Sequence, residues 1–182
     1  MDGKLFVISG PSGVGKNTVI NEYLKEYPDT RLSISTTTRS PRTGEVDGVN
    51  YYFVSKEKFK SLITEGKFLE WAEFNGNYYG TRIDLIEDTL NSGQNLILEI
   101  DTVGAIQVKD KIPTAILIFI MPPSVEDLRK RLTTRGTETT EVIEKRLNIA
   151  IEELEKAKLF DFQIVNDKIE NAVSKLKEII SK

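Results

Sequence analysis

Two residue types are missing from this chain of 182 amino acids: cysteine and histidine. Without cysteine there are no disulfides and no thiolate metal sites. Without histidine the commonest general base and the commonest transition-metal ligand are gone. Ser–His–Asp and Cys–His catalysis are excluded outright. Chemistry must run instead on carboxylates, lysine, arginine, backbone amides and a hard, oxygen-bound cation such as Mg²⁺. Long apolar runs are missing as well: none approaches the ~20 residues of a transmembrane helix, and MDGKLFVISG (1–10) has too short an apolar run for a signal peptide. An excess of positive charge is also lacking, since 25 Lys+Arg stand against 28 Asp+Glu for a net charge of −3. That balance argues against a nonspecific polyanion binder. The absences together predict an intracellular, cytoplasmic protein with neither a nucleic-acid nor a membrane partner.

What is present suits one compact domain with a buried core. KLFVIS (4–9), LILEI (96–100), AILIFI (115–120) and FQIV (162–165) read as strands, the longer ones apolar enough for a parallel sheet covered on both faces. Helical patterns fall at 16–26, about 82–92, 103–110, 124–134, 139–158 and 168–181. This alternation predicts an α/β fold. Residues 33–80 break the rhythm with SIST, NYYFV, FLEWAEF and NYYG, several turns and one helix near 55–65, and are read as an inserted, mostly antiparallel subdomain. TTRGTETTEV (133–142), polar and flanked by arginine-bearing helices, reads as a mobile loop or lid.

Five segments carry chemistry. Gly10, Pro11, Ser12, Gly13, Val14, Gly15 and Lys16 form G-x-x-x-x-G-K between a strand and a helix, where backbone N–H groups surround an anion at a helix N-terminus. The following residue, where the usual pattern asks for Ser or Thr, is Asn17, and Thr18 comes next. In STTTRSPRTGEVDGVNYYF (35–53), Arg39 and Arg42 lie close enough to repel unless they share an anion, with Tyr51 as a further donor; a solvated loop with two incidental arginines is the other reading. In FLEWAEFNGNYYGT (68–81), Glu70 and Glu73 sit among aromatics, and Glu70 either awaits a ligand donor or faces solvent at a strand edge. Glu99 and Asp101 end an apolar strand, where open α/β sheets place ligands, and Asp101 is equally suited to cap the next helix. Arg129, Arg131, Arg135 and Arg146 surround the 133–142 loop, either to neutralise a moving phosphoryl group or to pair with acids such as Glu126 and Glu144.

GPSGVGK, STTTRSPRTGEVDGVNYYF, EWAEFNGNYYGT, MPPSVEDLRKRLTTRGTET and FDFQIVND, in this order and spacing, resemble the guanylate kinase family across essentially the whole chain. The resemblance implies a phosphate-loop nucleoside-monophosphate kinase fold: a core of 1–33, 82–122 and 156–182, a GMP-binding subdomain of 34–81 and a helical lid of 123–155. It implies transfer of the ATP γ-phosphoryl group to GMP, and by extension dGMP, in purine nucleotide metabolism, with Mg²⁺ as cofactor and a monomer or homodimer as the working unit. Lys16, Arg42, Arg135 and Arg146 would be catalytic. Residues 10–18 and Asn166 would bind ATP. Ser35, Glu70, Thr81 and Asp101 would read guanine, and Arg39, Arg42, Tyr51 and Tyr79 would hold the GMP phosphate. No side chain is assigned as a direct metal ligand; Thr18 and Asp101 would act through water. Two departures stand out. Val103 replaces a glutamine common in the family, which removes a supporting polar contact. Asn17 falls at a position that the resemblance marks as variable, often Gly or Ser, with Thr18 matching the residue that follows. It is read as tolerated, its amide oxygen facing a metal-bound water or its side chain merely fitting the first helical turn, with an impairing substitution as the alternative. Two rival functions remain: a protein-binding module with a catalytically weak loop, and a related kinase for a different acceptor.

Overall fold

A computed structural model describes residues 3–134 and 140–181. Five parallel strands form the main sheet in the order β2-β7-β1-β8-β9: β1 (Leu5–Ser9), β2 (Arg31–Leu32), β7 (Leu96–Glu99), β8 (Ile116–Met121) and β9 (Phe162–Val165). The apolar runs predicted as strands are all here. The period-two alternation of a strand divides their side chains between two cores. Phe6, Ile8, Ile97, Ile118 and Ile120 pack on one face beneath α1 (Lys16–Glu26) and α7 (Ile169–Ile180). Leu5, Val7, Leu96, Leu98, Leu117 and Phe119 pack on the other, beneath α3 (Ile83–Asn91) and α4 (Thr102–Lys111). Burial on both faces is why these segments are apolar without interruption. β2 was not predicted: its two residues are exposed and too short to show a period.

The segment predicted as an insertion forms its own four-stranded sheet, β4-β3-β6-β5, from β3 (Thr36–Thr37), β4 (Tyr52–Phe53), β5 (Phe68–Phe74) and β6 (Asn77–Arg82). The β3–β6 and β5–β6 pairs are antiparallel and β3–β4 is parallel. β3 and β4 are shorter than the SIST and NYYFV segments predicted. Helix α2 (Lys56–Thr64), capped by the Ser55 hydroxyl, drops Phe59 and Leu62 onto Phe68 to make a small separate core. β6 runs directly into α3, so the second sheet is tied to the first through a helix buried against it.

Helices α5 (Val125–Thr134) and α6 (Thr140–Glu155) pack on one another through Leu128, Leu132, Ile143, Leu147 and Ala150, and a 3₁₀ turn at Lys156–Leu159 ends the pair. This cluster is small and has no second layer. Leu128→Ala is therefore expected to cost about 3 kcal/mol of stability, read as a lowered urea midpoint at unchanged slope.

Candidate active site

The phosphate-loop segment leaves β1 at its carboxyl end and enters α1 with Gly15 at the N-cap in the left-handed region, φ 96°. No side chain caps this helix and its first turn carries no acid, so its N-terminal amides face an anion site. Gly10 is required by proximity: a Cβ there would lie 2.4 Å from the Ile120 carbonyl oxygen. Lys16 lies along its own loop, Nζ donating to Gly10 O at 2.6 Å and Pro11 O at 3.4 Å. Burial pulls its pKa down, and Glu99, Glu153 and Asp101 oppose that pull. Gly10, Ser12, Lys16, Asn17, Thr18, Glu99, Asp101 and Glu153 share the walls of a cavity of about 500 Å³.

Behind the loop, the Asn166 amide donates to Val14 O at 2.9 Å. Arg131 donates to the same carbonyl at 2.9 Å and to Asn166 O at 2.7 Å, which braces the loop against the end of β9. Arg146 of α6 donates to the Ser12 hydroxyl at 2.6 Å. Arg129 forms an ion pair with Glu144, the structural role that sequence reasoning left open for it. Arg135 and the middle of the loop predicted at 133–142 lie outside the described residues.

A second cavity of about 500 Å³ opens between the two sheets, lined by Ser35, Tyr51, Glu70, Tyr79 and Asp101 among others. Glu70 is 5 % exposed. Its Oε1 accepts from the Thr81 hydroxyl at 2.5 Å, and its Oε2 lies near the first turn of α4, where Gly104 leaves room: a Cβ there would come within 3.0 Å. The solvent-edge reading of Glu70 is thus replaced by a buried one. Thr81 acts on Glu70 in this arrangement. Asp101 does cap α4, its Oδ1 accepting from Gly104 N at 2.7 Å; the cap holds it where both cavities touch it.

Arg39 is fixed by Glu45 at 2.8 Å and lies 5.4 Å from the Tyr51 ring centroid. The other Glu45 oxygen accepts from Arg42 N at 2.8 Å. Glu45 thus ties the Arg39 guanidinium to the backbone of Arg42, and Arg42 is exposed. Val103 is 51 % exposed on the first turn of α4 at the rim of the second cavity.

Sequence reasoning missed Glu153, because it lies in a long charged helix where one acid looks like any other. Glu99 was singled out with Asp101 from its place at the end of an apolar strand, and it lies on the wall of the loop cavity.

Burial raises the pKa of Glu70, with the Thr81 hydroxyl working in the opposite direction. A carboxyl held above its ordinary value binds its proton more tightly folded than unfolded. Ionising it therefore costs stability as pH rises from about 4.5 through the raised value. Glu70→Gln is accordingly expected to raise the thermal midpoint at pH 7.5, with the gain shrinking to nothing below about pH 4.5.

A strand, a glycine loop and a helix facing an anion site, beside a second cleft with a buried carboxylate, are the architecture of phosphate-loop nucleotide kinases. The chain belongs to the guanylate kinase family. The family model described as "Guanylate kinase" matches residues 2–182. Among curated relatives, the guanylate kinase of Halalkalibacterium halodurans is 50 % identical over 179 residues, covering 98 % of this chain and 88 % of that protein. The guanylate kinase of Bacillus anthracis is 52 % identical over 180 residues, covering 98 % and 87 %. The crystal structure of guanylate kinase from Anaplasma phagocytophilum superposes with a TM-score of 0.79 at 34 % identity, covering 98 % of this chain and 85 % of that one.

Proposed function

We propose that the protein transfers the γ-phosphoryl group of ATP to GMP, giving ADP and GDP, with Mg²⁺ as the accompanying cation. One observation carries the reading beyond family membership: Glu99, Ile100, Asp101 and Glu153 line both cavities, so the phosphate-loop cleft and the cleft holding Glu70 are contiguous. Two substrates seated in them would meet over the carboxyl end of β7.

In this reading Lys16, Arg146 and Arg135 neutralise charge on the moving phosphoryl group, with the loop amides around the donor phosphates and Asn166 beside adenine. Arg39, Arg42, Tyr51 and Tyr79 hold the acceptor phosphate, which requires Arg42 to turn inward from its exposed turn. Glu70 accepts from guanine N1–H and the N2 amine, supported by Ser35, Thr81 and Asp101. The acceptor phosphate is already an anion, so no general base is needed and the absence of histidine is no handicap. The segment 34–81 acts as the acceptor subdomain, 123–155 as a lid and the remainder as the core, closing to exclude water.

The residues fit Mg²⁺ in a specific sense. Among the described residues no group of three acidic side chains forms a cation cage. Three carboxylates, Glu99, Asp101 and Glu153, do line the loop cavity together with the Thr18 residue. Mg²⁺ characteristically binds with one or two carboxylates, substrate phosphates and retained water, and when bound it offsets phosphate charge. The reading further places the protein in the cytoplasm as a monomer or homodimer; no helix among the described residues is long and apolar enough to cross a membrane. A protein-binding module with a decayed loop is disfavoured by the intact Lys16 and the seated Glu70.

Incubation with ATP, GMP and Mg²⁺ followed by anion-exchange chromatography is expected to show ADP and GDP appearing in equal amounts. ADP without GDP would contradict the proposal.

A further inference from the structure

The side chain of Asn17 faces the Glu99 carboxylate. Carboxylate oxygens of an ionised glutamate only accept, so the amide must present its nitrogen to them. In that orientation it donates to Oε1 at 2.6 Å and to Oε2 at 3.1 Å. In this orientation the amide nitrogen is committed to Glu99, a partner that the local motif does not show.

Three features give this contact weight. Glu99 is the last residue of β7, half-buried, in register with Ile8 two positions before the loop. Among the described residues Asn17 is its one hydrogen-bond donor, and a carboxylate withdrawn from water is costly without one. Local helix chemistry, by contrast, gives no reason to prefer asparagine over serine in the first turn of α1. A serine is shorter and has one O–H to offer; the amide has two N–H groups, enough for both oxygens.

We propose that Asn17 is a positioning residue: it holds the Glu99 carboxylate against the phosphate loop, so that a sheet carboxylate takes over at the cation side of the loop the place that a loop hydroxyl has in the usual pattern. The role proposed for the Asn17 side chain acts through Glu99 and not through contact with substrate. The inference rests on the proposed Mg²⁺-dependent use of ATP, and the odd residue at position 17 becomes half of a pair.

The test uses the full chain with Asn17→Ser, Glu99→Gln and the double substitution. In metal-free buffer without nucleotide, Asn17→Ser is expected to lower the thermal midpoint by about 2–4 °C. By calorimetry it should weaken binding of ATP in the presence of Mg²⁺ about tenfold more than it weakens metal-free ATP binding. Glu99→Gln should likewise weaken ATP binding in the presence of Mg²⁺, and in that measurement the double variant should be no worse than Glu99→Gln alone. As a rescue, Asn17→Asp places two carboxylates face to face and should lose stability that the Asn17→Asp/Glu99→Gln exchange recovers. Additive losses, equal weakening with and without Mg²⁺, or failure of the exchange would overturn the proposal. A wild-type protein that binds ATP equally well with and without Mg²⁺ would overturn the cation assignment under the proposed function and this inference with it. A Mg²⁺-dependent wild type with an unaffected Asn17→Ser variant overturns this inference alone.

Discussion

Replacing Glu70 with Gln is expected to lower kcat/KM for GMP by about 10⁴-fold while leaving ATP binding in the absence of GMP unchanged. The magnitude follows from how the site is built. Glu70 is 5 % exposed, held by the Thr81 hydroxyl and aimed into the second cavity. A buried carboxylate can accept from two adjacent N–H donors, the pattern of guanine's N1–H and N2 amine. A glutamine can accept only through its oxygen and sets its own N–H groups against one of those donors. Sites built to hydrogen-bond a particular group reject a mismatch by about 10⁴–10⁵-fold, because buried polar atoms are left unpaired. The same substitution should raise the thermal midpoint at neutral pH, as its elevated pKa requires. Lost turnover together with gained stability separates a specificity role from misfolding. Steady-state kinetics and a melting curve on one preparation check both.

Lys16→Met is expected to lower kcat by about 10³-fold, with a much smaller change in KM for GMP. Lys16 sits within the loop cavity, and its ammonium is tied to the Gly10 carbonyl at 2.6 Å. On nucleotide binding that contact can be exchanged for phosphate oxygens at little reorganisation cost, which is the condition under which a fixed charge contributes most to a transition state. Methionine keeps the length and the apolar stem but removes the charge. A variant retaining more than about a tenth of wild-type kcat would show that the lysine only helps to fold the loop.

Much of the fold is legible in the sequence because burial on both faces of the main sheet leaves few polar residues in β1, β7 and β8. β2 left no trace, since both of its residues are exposed and it is defined by pairing with Leu96 and Ile97 alone. β3 and β4 were expected, and longer; what the local pattern does not show is their register, which depends on β6 and on the Asp47 side chain, accepting from Phe53 N at 2.8 Å. In the site, residue types were easier to read than their partners. The two close arginines pointed to a shared anion, but nothing in the spacing showed that Glu45 would pair with the Arg39 guanidinium and accept from the Arg42 backbone. Asp101 was open to a capping or a binding reading, and the structure has it capping α4 at the junction of the two cavities. Asn17 and Glu99 lie 82 positions apart in the chain, and only the parallel pairing of β1 with β7 brings them together. Long-range partners of this kind are set by topology, which a local motif does not encode.

The most direct measurement is the initial rate of ADP formation by the wild-type protein with ATP, Mg²⁺ and each of GMP, dGMP, AMP and UMP. Rapid turnover is predicted with GMP and dGMP, and kcat/KM for AMP and UMP should be lower by about 10³-fold or more. No turnover with any acceptor would contradict the phosphotransferase assignment. AMP preferred over GMP would contradict the role given to Glu70.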